Sequence, residues 1–264
     1  MKVALCQINI KFEDKEYNKN KIIKKVIETK SNKADLCLFP EMTLTGFSMN
    51  VELIGEKDND TIDFFRKVCI DNNINVGFGW VKKVRSSGEN HFTIINNHGE
   101  IILDYIKIHP FSFSNEDKYY LSGEEIVKCS VNNTNITSFI CYDLRFPEIF
   151  QCISNDVDII IIIANWPQSR SEHWKTLLKA RAIENQVYII GVNCVGTIDG
   201  LYYSGDSCII NPNGQVIDSI ENVEGIIYGV IDLNEIIALR KSFPVKSDRK
   251  NQLYNQFMIL NMLK

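Results

Sequence analysis

The sequence predicts an α/β sandwich, and three patterns carry the prediction. Apolar runs of strand length alternate with longer stretches that repeat with helical period. Hairpins interleave with these units, so antiparallel pairs and crossover connections share the same layers. No Gly-, Pro- or Ser-rich linker, repeat or low-complexity stretch breaks the 264 residues, which read as a single folded unit.

Taken in order, residues 3–8 read as a strand, 17–29 as a lysine-rich amphipathic helix and 36–39 as a second strand. Residues 61–72 read as a helix with Ile62, Phe65 and Val68 on one face, followed by a strand over 75–84. A hairpin comes next: 91–96, a turn at Asn97-His98-Gly99, then 100–106. Beyond it lie a strand over 136–140, a helix starting at Pro147, an isoleucine-rich strand over 159–164 and a helix over about 171–185. Strands follow at 187–193 and 207–211, and the turn Asn211-Pro212-Asn213-Gly214 leads into 216–220. The last strand is 226–231. Residues 1–240 thus form the domain, and 241–264 read as a tail. Its apolar residues Leu253, Phe257, Met258, Leu260 and Leu263 are expected to pack on the body or on a partner subunit.

Composition narrows the function classes. Hydrophobic residues make up 45% and charged residues 23%, the balance of an ordinary soluble globular protein. A formal charge of −4 supplies no basic footprint, so neither nucleic acid nor an anionic membrane is expected as a partner. No apolar run approaches bilayer length, and the opening Met1-Lys2-Val3-Ala4-Leu5-Cys6-Gln7 turns polar too soon for a signal peptide. Eight cysteines (Cys6, Cys37, Cys69, Cys129, Cys141, Cys152, Cys194 and Cys208) are scattered singly, with no CxxC pair. That pattern fits reduced, buried thiols in a cytoplasmic protein. None of His91, His98, His109 and His173 stands at zinc-ligand spacing from a cysteine pair, so no metal is expected.

The chemistry centres on Ile140-Cys141-Tyr142-Asp143-Leu144-Arg145-Phe146-Pro147-Glu148. A thiol here follows a buried strand and faces a helix start, where the helix dipole favours a thiolate and a developing oxyanion. A cysteine in an apolar strand is nonetheless usually inert packing, so Cys141 alone does not establish a nucleophile. Glu41, in Leu38-Phe39-Pro40-Glu41-Met42, lies just past a strand end and alone reads as a helix-cap or surface residue. Lys107, in Tyr105-Ile106-Lys107-Ile108-His109-Pro110-Phe111, alone reads as a lysine lying on apolar surface with its head in water. Asn165-Trp166-Pro167 again follows a strand directly. Polar groups at the mouths of separate buried strands are how α/β folds build sites.

Together these segments resemble the nitrilase superfamily of carbon–nitrogen hydrolases. The likeness runs from Val3 to the strand at Val230. It places FPE at Glu41, a hydrophobic-Lys-hydrophobic-His segment at Lys107 and CYDxRFPE at Cys141 in the family's order. The resemblance implies a four-layer α-β-β-α sandwich, a homodimer joined through helical layers, and no metal or organic cofactor. It carries the family's Glu, Lys and Cys triad onto Glu41, Lys107 and Cys141, and a supporting glutamate onto Glu116 in Ser114-Asn115-Glu116-Asp117. The runs 165–174 and 180–186 are similar to bacterial omega-amidases, which hydrolyse the side-chain amide of 2-oxoglutaramate or 2-oxosuccinamate. One departure is Pro110, where leucine commonly follows the histidine; it bears on the loop beside Lys107 and on substrate size.

The resemblance implies that Glu41 takes the thiol proton, Cys141 attacks the amide carbonyl, and Lys107 with the Tyr142 backbone N–H holds the oxyanion. Ammonia would leave with that proton, and water would hydrolyse the thioester while Glu116 steadies Lys107. The carboxylate of a 2-oxo acid amide needs a cation, for which Arg170 is the first candidate, with Trp166 as an apolar wall. Arg145 is the second, although a structural ion pair with Asp143 or Glu148 is the favoured reading of it. His109, His173 and Trp174 read as structural. One rival is another carbon–nitrogen hydrolase: a nitrilase, an N-carbamoyl amidase or an amidase on a different small acid. A rival of another class is a binding module with an inert buried thiol. A papain-like Cys-His pair lacks a suitable histidine partner.

Overall fold

In β1 (Lys2–Gln7), side chains alternate between two cores: Val3 and Leu5 turn inward between two sheets, and Cys6 turns outward beneath helices. β2 (Leu36–Leu38) repeats this, with Leu36 and Leu38 inward and Cys37 outward. The computed structural model describes residues 1–262; Leu263 and the side chains of Met258 and Leu260 lie outside the described residues.

The first sheet continues through β3 (Asn75–Val84), β4 (Ser87–Ile95) and β5 (Ile101–Ile106), with the short β6 (Tyr120–Leu121) beside β4. β1, β2 and β3 are parallel, whereas β3, β4 and β5 form antiparallel hairpins. The second sheet holds β7 (Lys128–Val131), β8 (Thr134–Ile140), β9 (Ile159–Ala164) and β10 (Tyr188–Asn193). The hairpin β11 (Val195–Ile198) and β12 (Leu201–Ile210) extends it, and β13 (Val216–Glu221) pairs with β12. β14 (Gly225–Val230) returns to the first sheet, antiparallel to β1.

Helices cover both outer faces. α1 (Lys15–Ser31) and, after the short α2 (Val51–Ile54), α3 (Asp60–Asn72) lay Ile22, Val26, Phe65 and Val68 on the first sheet. α4 (Pro147–Ile153) and α5 (Ser171–Asn185) cover the second with Phe150, Trp174 and Leu178. The result is the helix–sheet–sheet–helix order that the family resemblance implies. Five consecutive isoleucines of β9 are fully buried, because parallel neighbours and covering layers leave neither face wet. Burying one such side chain contributes about 1.5–3 kcal/mol. Gln7 ties the sheets together: its Oε1 accepts from Ser207 N at 3.0 Å and its Nε2 donates to Val223 O at 2.8 Å.

Some boundaries differ from the sequence reading. β12 begins at Leu201 rather than 207, and β6, β7 and β11 were not anticipated. These strands are short or polar, and the β11–β12 hairpin carries glycines at positive φ, Gly196 and Gly200, that read as loop. α6 (Leu233–Ser242) and α7 (Asn251–Met262) occupy the end of the chain, where Leu253 and Phe257 are exposed. All eight cysteines are free thiols. No described helix is long and apolar enough to cross a membrane.

Candidate active site

Glu41, Lys107, Cys141 and Asn165 each follow the C-terminal end of a different strand: β2, β5, β8 and β9. Packing the two sheets face to face brings these four ends together.

Glu41 lies in a turn that can seat against β3 only because β3 carries a glycine there. A Cβ on Gly79 would lie 2.4 Å from Met42 N and 2.8 Å from Glu41 Cα. Thr43 N donates to Gly79 O at 2.9 Å and fixes the turn. The Glu41 carboxylate is fully buried and pinned on both oxygens. Oε1 accepts from Lys107 Nζ at 3.0 Å and Asn90 Nδ2 at 2.8 Å, and Oε2 accepts from Asn165 N at 2.8 Å.

Lys107 leaves β5 with its backbone held at both ends. Its N–H donates to Asn90 O at 2.9 Å and its carbonyl accepts from Gly123 N at 2.8 Å. Nζ reaches Glu116 Oε2 at 2.8 Å as well as Glu41. Burial opposes the charge on Lys107, but the Glu116 and Glu41 carboxylates outweigh it and hold the ammonium well above its ordinary range. Glu116 opens a 3-10 turn, Glu116–Lys118, and its Oε2 also accepts from Phe111 N at 2.5 Å. Burial raises its pKa, with Lys107 opposing and the Glu41 charge adding to the rise.

Cys141 adopts φ 45°, a left-handed conformation that costs a residue with a side chain about 1–3 kcal/mol. Asp143 holds the strained corner. Its Oδ2 accepts from Ile140 N at 3.0 Å and Tyr105 OH at 2.7 Å, and its Oδ1 accepts from His109 N at 3.0 Å. The α-helix starts at Pro147, as the sequence suggested, but Cys141 opens a 3-10 turn, Cys141–Arg145, that lies between the thiol and the start of α4. In the first turn, Tyr142 N–H has no intrahelical acceptor. Against the dipole's preference for a thiolate, burial and then the Glu41 charge push the thiol well above its ordinary range, with Lys107 opposing.

The sulfur opens onto a cavity of about 250 Å³ lined in part by Lys107, Phe47, Trp166, Arg145 and Arg170. Trp166 is buried, its Nε1 donating to Arg170 O at 2.8 Å, and forms an apolar wall. The ion pair favoured for Arg145 does not exist: Asp143 is occupied by Tyr105 and His109, and Arg145 makes no salt bridge among the described residues. Its guanidinium instead lies 4.7 Å from the Trp166 ring centroid, beside His173 Nδ1 at 3.4 Å. Burial, then repulsion from Arg170, lower its pKa. Arg170 stands 5.5 Å from the Phe111 ring centroid and likewise has no carboxylate partner among the described residues. His109 is stacked on Phe146 at 3.8 Å, and Trp174 is buried with Nε1 donating to Asp206 O, so both are structural.

Sequence reasoning missed two neighbours of the charged cluster. Asn90 bonds Glu41, and its only signal was an asparagine beside a run of strand formers. Phe47, whose ring centroid is 5.5 Å from Lys107 Nζ, carried no signal. No described cluster of three or more His, Cys, Asp or Glu residues is arranged to hold a metal ion.

The carbon-nitrogen hydrolase family model matches residues 2–241. A Staphylococcus aureus protein named hydrolase in agr operon is 32% identical over 96% of this chain and 100% of its own. The 2-oxoglutaramate amidase of Bacillus subtilis is 34% identical over 86% of this chain and 90% of its own. A CN-hydrolase superfamily protein from Xanthomonas campestris, solved with an arsenic adduct in its active site, superposes with a TM-score of 0.89. It is 28% identical, with 95% of this chain and 97% of that chain covered. Shared sequence over nearly the whole length, on the same sandwich, makes this chain a member of the carbon–nitrogen hydrolase family, a hydrolase of amide C–N bonds.

Proposed function

We propose that this enzyme hydrolyses the terminal amide of a small 2-oxo dicarboxylic acid monoamide, 2-oxoglutaramate or 2-oxosuccinamate, through a thioester on Cys141. Because the thiol is held protonated, it needs a base at the moment of attack, and Glu41 is the carboxylate whose charge it feels most. Glu41 takes the proton as sulfur adds to the amide carbon. Lys107, kept cationic by two carboxylates, and Tyr142 N–H stabilise the oxyanion; one such donor is worth about 10²–10³ in kcat. Glu41 returns the proton to the departing nitrogen, ammonia leaves, and water activated by Glu41 hydrolyses the thioester. Glu116 holds Lys107 in place.

The substrate assignment rests on one observation. Arg145 and Arg170 line the cavity that holds Cys141, and neither has a carboxylate partner among the described residues. Two guanidiniums that repel one another are relieved by an anionic group between them, and a bidentate carboxylate fits that need. The kinship with a 2-oxoglutaramate amidase supports the same reading. It includes a cytoplasmic homodimer, for which the exposed Leu253, Tyr254 and Phe257 of α7 offer partner surface.

The test is ammonia release from 2-oxoglutaramate, 2-oxosuccinamate, glutamine, asparagine and simple nitriles. The 2-oxo acid amides are expected to be preferred in kcat/KM. Arg170→Ala and Arg145→Ala are each expected to raise KM for 2-oxoglutaramate about tenfold or more, the effect of losing a charged hydrogen bond. An unchanged KM in Arg170→Ala removes that residue from the site, and preference for nitriles or neutral amides overturns the substrate class.

A further inference from the structure

One buried side chain touches both carboxylates of the site, and the mechanism above does not use it. Asn90, on β4, is 1% exposed. Its Nδ2 donates to Glu41 Oε1 at 2.8 Å and to Glu116 Oε1 at 3.3 Å. Its backbone carbonyl accepts from Lys107 N at 2.9 Å. Asn90 therefore meets all three charged members of the cluster. Among the described residues no group partners its Oδ1, although the atom is fully buried. A side chain chosen for packing has no reason to bear an unmade hydrogen bond, and an unmade bond in a native site calls for an explanation.

Charge supplies one. The Glu41 and Glu116 carboxylates share the single ammonium of Lys107, so the buried cluster holds more acceptors than the lysine alone can satisfy. The Asn90 amide offers both carboxylates a donor without adding a titrating group. Turned over, it would set its oxygen against them, so the carboxylates fix its orientation and strand the Oδ1. We infer that Asn90 is a positioning residue that keeps Glu41 aimed at Cys141 by sharing its amide N–H groups between the two glutamates. This rests on the assignment of Glu41 as the base. The consequence is directional. A donor to the ionised form favours it, so losing the donor raises the pH at which Glu41 becomes a competent base. The groups facing the amide are Glu41 from the β2 turn, Lys107 from the end of β5 and Glu116 from the 3-10 turn. Cys141 lies beyond Glu41 at the end of β8. Tyr120 of β6 is raised mainly by burial, then by Glu116 and Glu41, stays protonated and donates to Ser48 O. His91, next along β4, is paired with Asp104 and Glu89.

The experiment compares wild type with Asn90→Leu, which keeps the shape and removes the donor, and with Asn90→Ser, which is smaller and retains one hydroxyl donor. Two profiles against pH are recorded: kcat/KM for ammonia release from 2-oxoglutaramate, and the rate of Cys141 alkylation by iodoacetamide, which needs no substrate. For Asn90→Leu the acid limb of both profiles is expected to rise by about one pH unit or more. Its kcat is expected to fall about 10- to 100-fold with KM changed less than about threefold, the signature of a group that acts on the chemical step. Asn90→Ser should lie between the two and serves alone where the leucine variant does not fold. Acid limbs that stay in place while only the melting temperature drops would make Asn90 a packing residue and overturn the inference. Should wild type release no ammonia while its alkylation limb still moves on substitution, the substrate reading fails and the role of Asn90 stands.

Discussion

At Cys141 two influences oppose each other, and their balance decides how the thiol reacts. Lys107 favours a thiolate, but burial and the charge of Glu41 favour the thiol, and these win. A raised pKa keeps the proton on sulfur beyond the range where an ordinary thiol titrates, so the resting thiol is expected to be protonated near neutrality. The thiolate absorbance near 240 nm, taken as wild type minus Cys141→Ala, is therefore expected to be flat from about pH 6 to 9 and to rise only above that range, where an unperturbed thiol would already be titrating. A step near neutral pH would show that Lys107 wins instead. The residues of this balance were legible in the sequence because each sits in a short motif at a strand end. Arg145 was legible as a residue but not as a neighbour: only the fold shows that Tyr105 and His109 occupy Asp143 and leave the guanidinium facing the cavity. Asn90 gave little away because nothing local to β4 tells an asparagine facing solvent from one facing two buried carboxylates.

The elements place these residues through close backbone approach. Gly79 in β3 is the clearest case, since the turn carrying Glu41 lies where its side chain would be. Gly79→Ala is expected to destabilise the protein by about 1–3 kcal/mol through overpacking. It should also lower ammonia release, because the least costly relief is to push the Glu41 turn away. Thermal melting and turnover measured on the same sample check both effects; a stable variant with full turnover would show that the turn accommodates the methyl group. Element type was readable wherever hydrophobic period was strong, as in the isoleucine run of β9 and the Phe65 face of α3. It was not readable in β7 and β11, whose residues form strands because β8 and β12 offer them pairing partners. Tertiary pairing, not local preference, makes those strands.

Across the whole molecule, the sandwich converts four separate strand ends into one site. Glu41 and Lys107 come from the first sheet, and Cys141 and Asn165 from the second, so neither sheet alone contains the chemistry. The arrangement explains why each motif looked unremarkable by itself and why their order along the chain was informative: the fold fixes which ends meet. Everything above depends on Cys141 carrying the acyl group between amide and water. The measurement that tests it most directly is ammonia release from 2-oxoglutaramate by wild type and by Cys141→Ala at equal protein concentration. Steady release by wild type and a loss of about 10⁴-fold or more in the variant, which still folds, are expected. Release by Cys141→Ala within tenfold of wild type would contradict it.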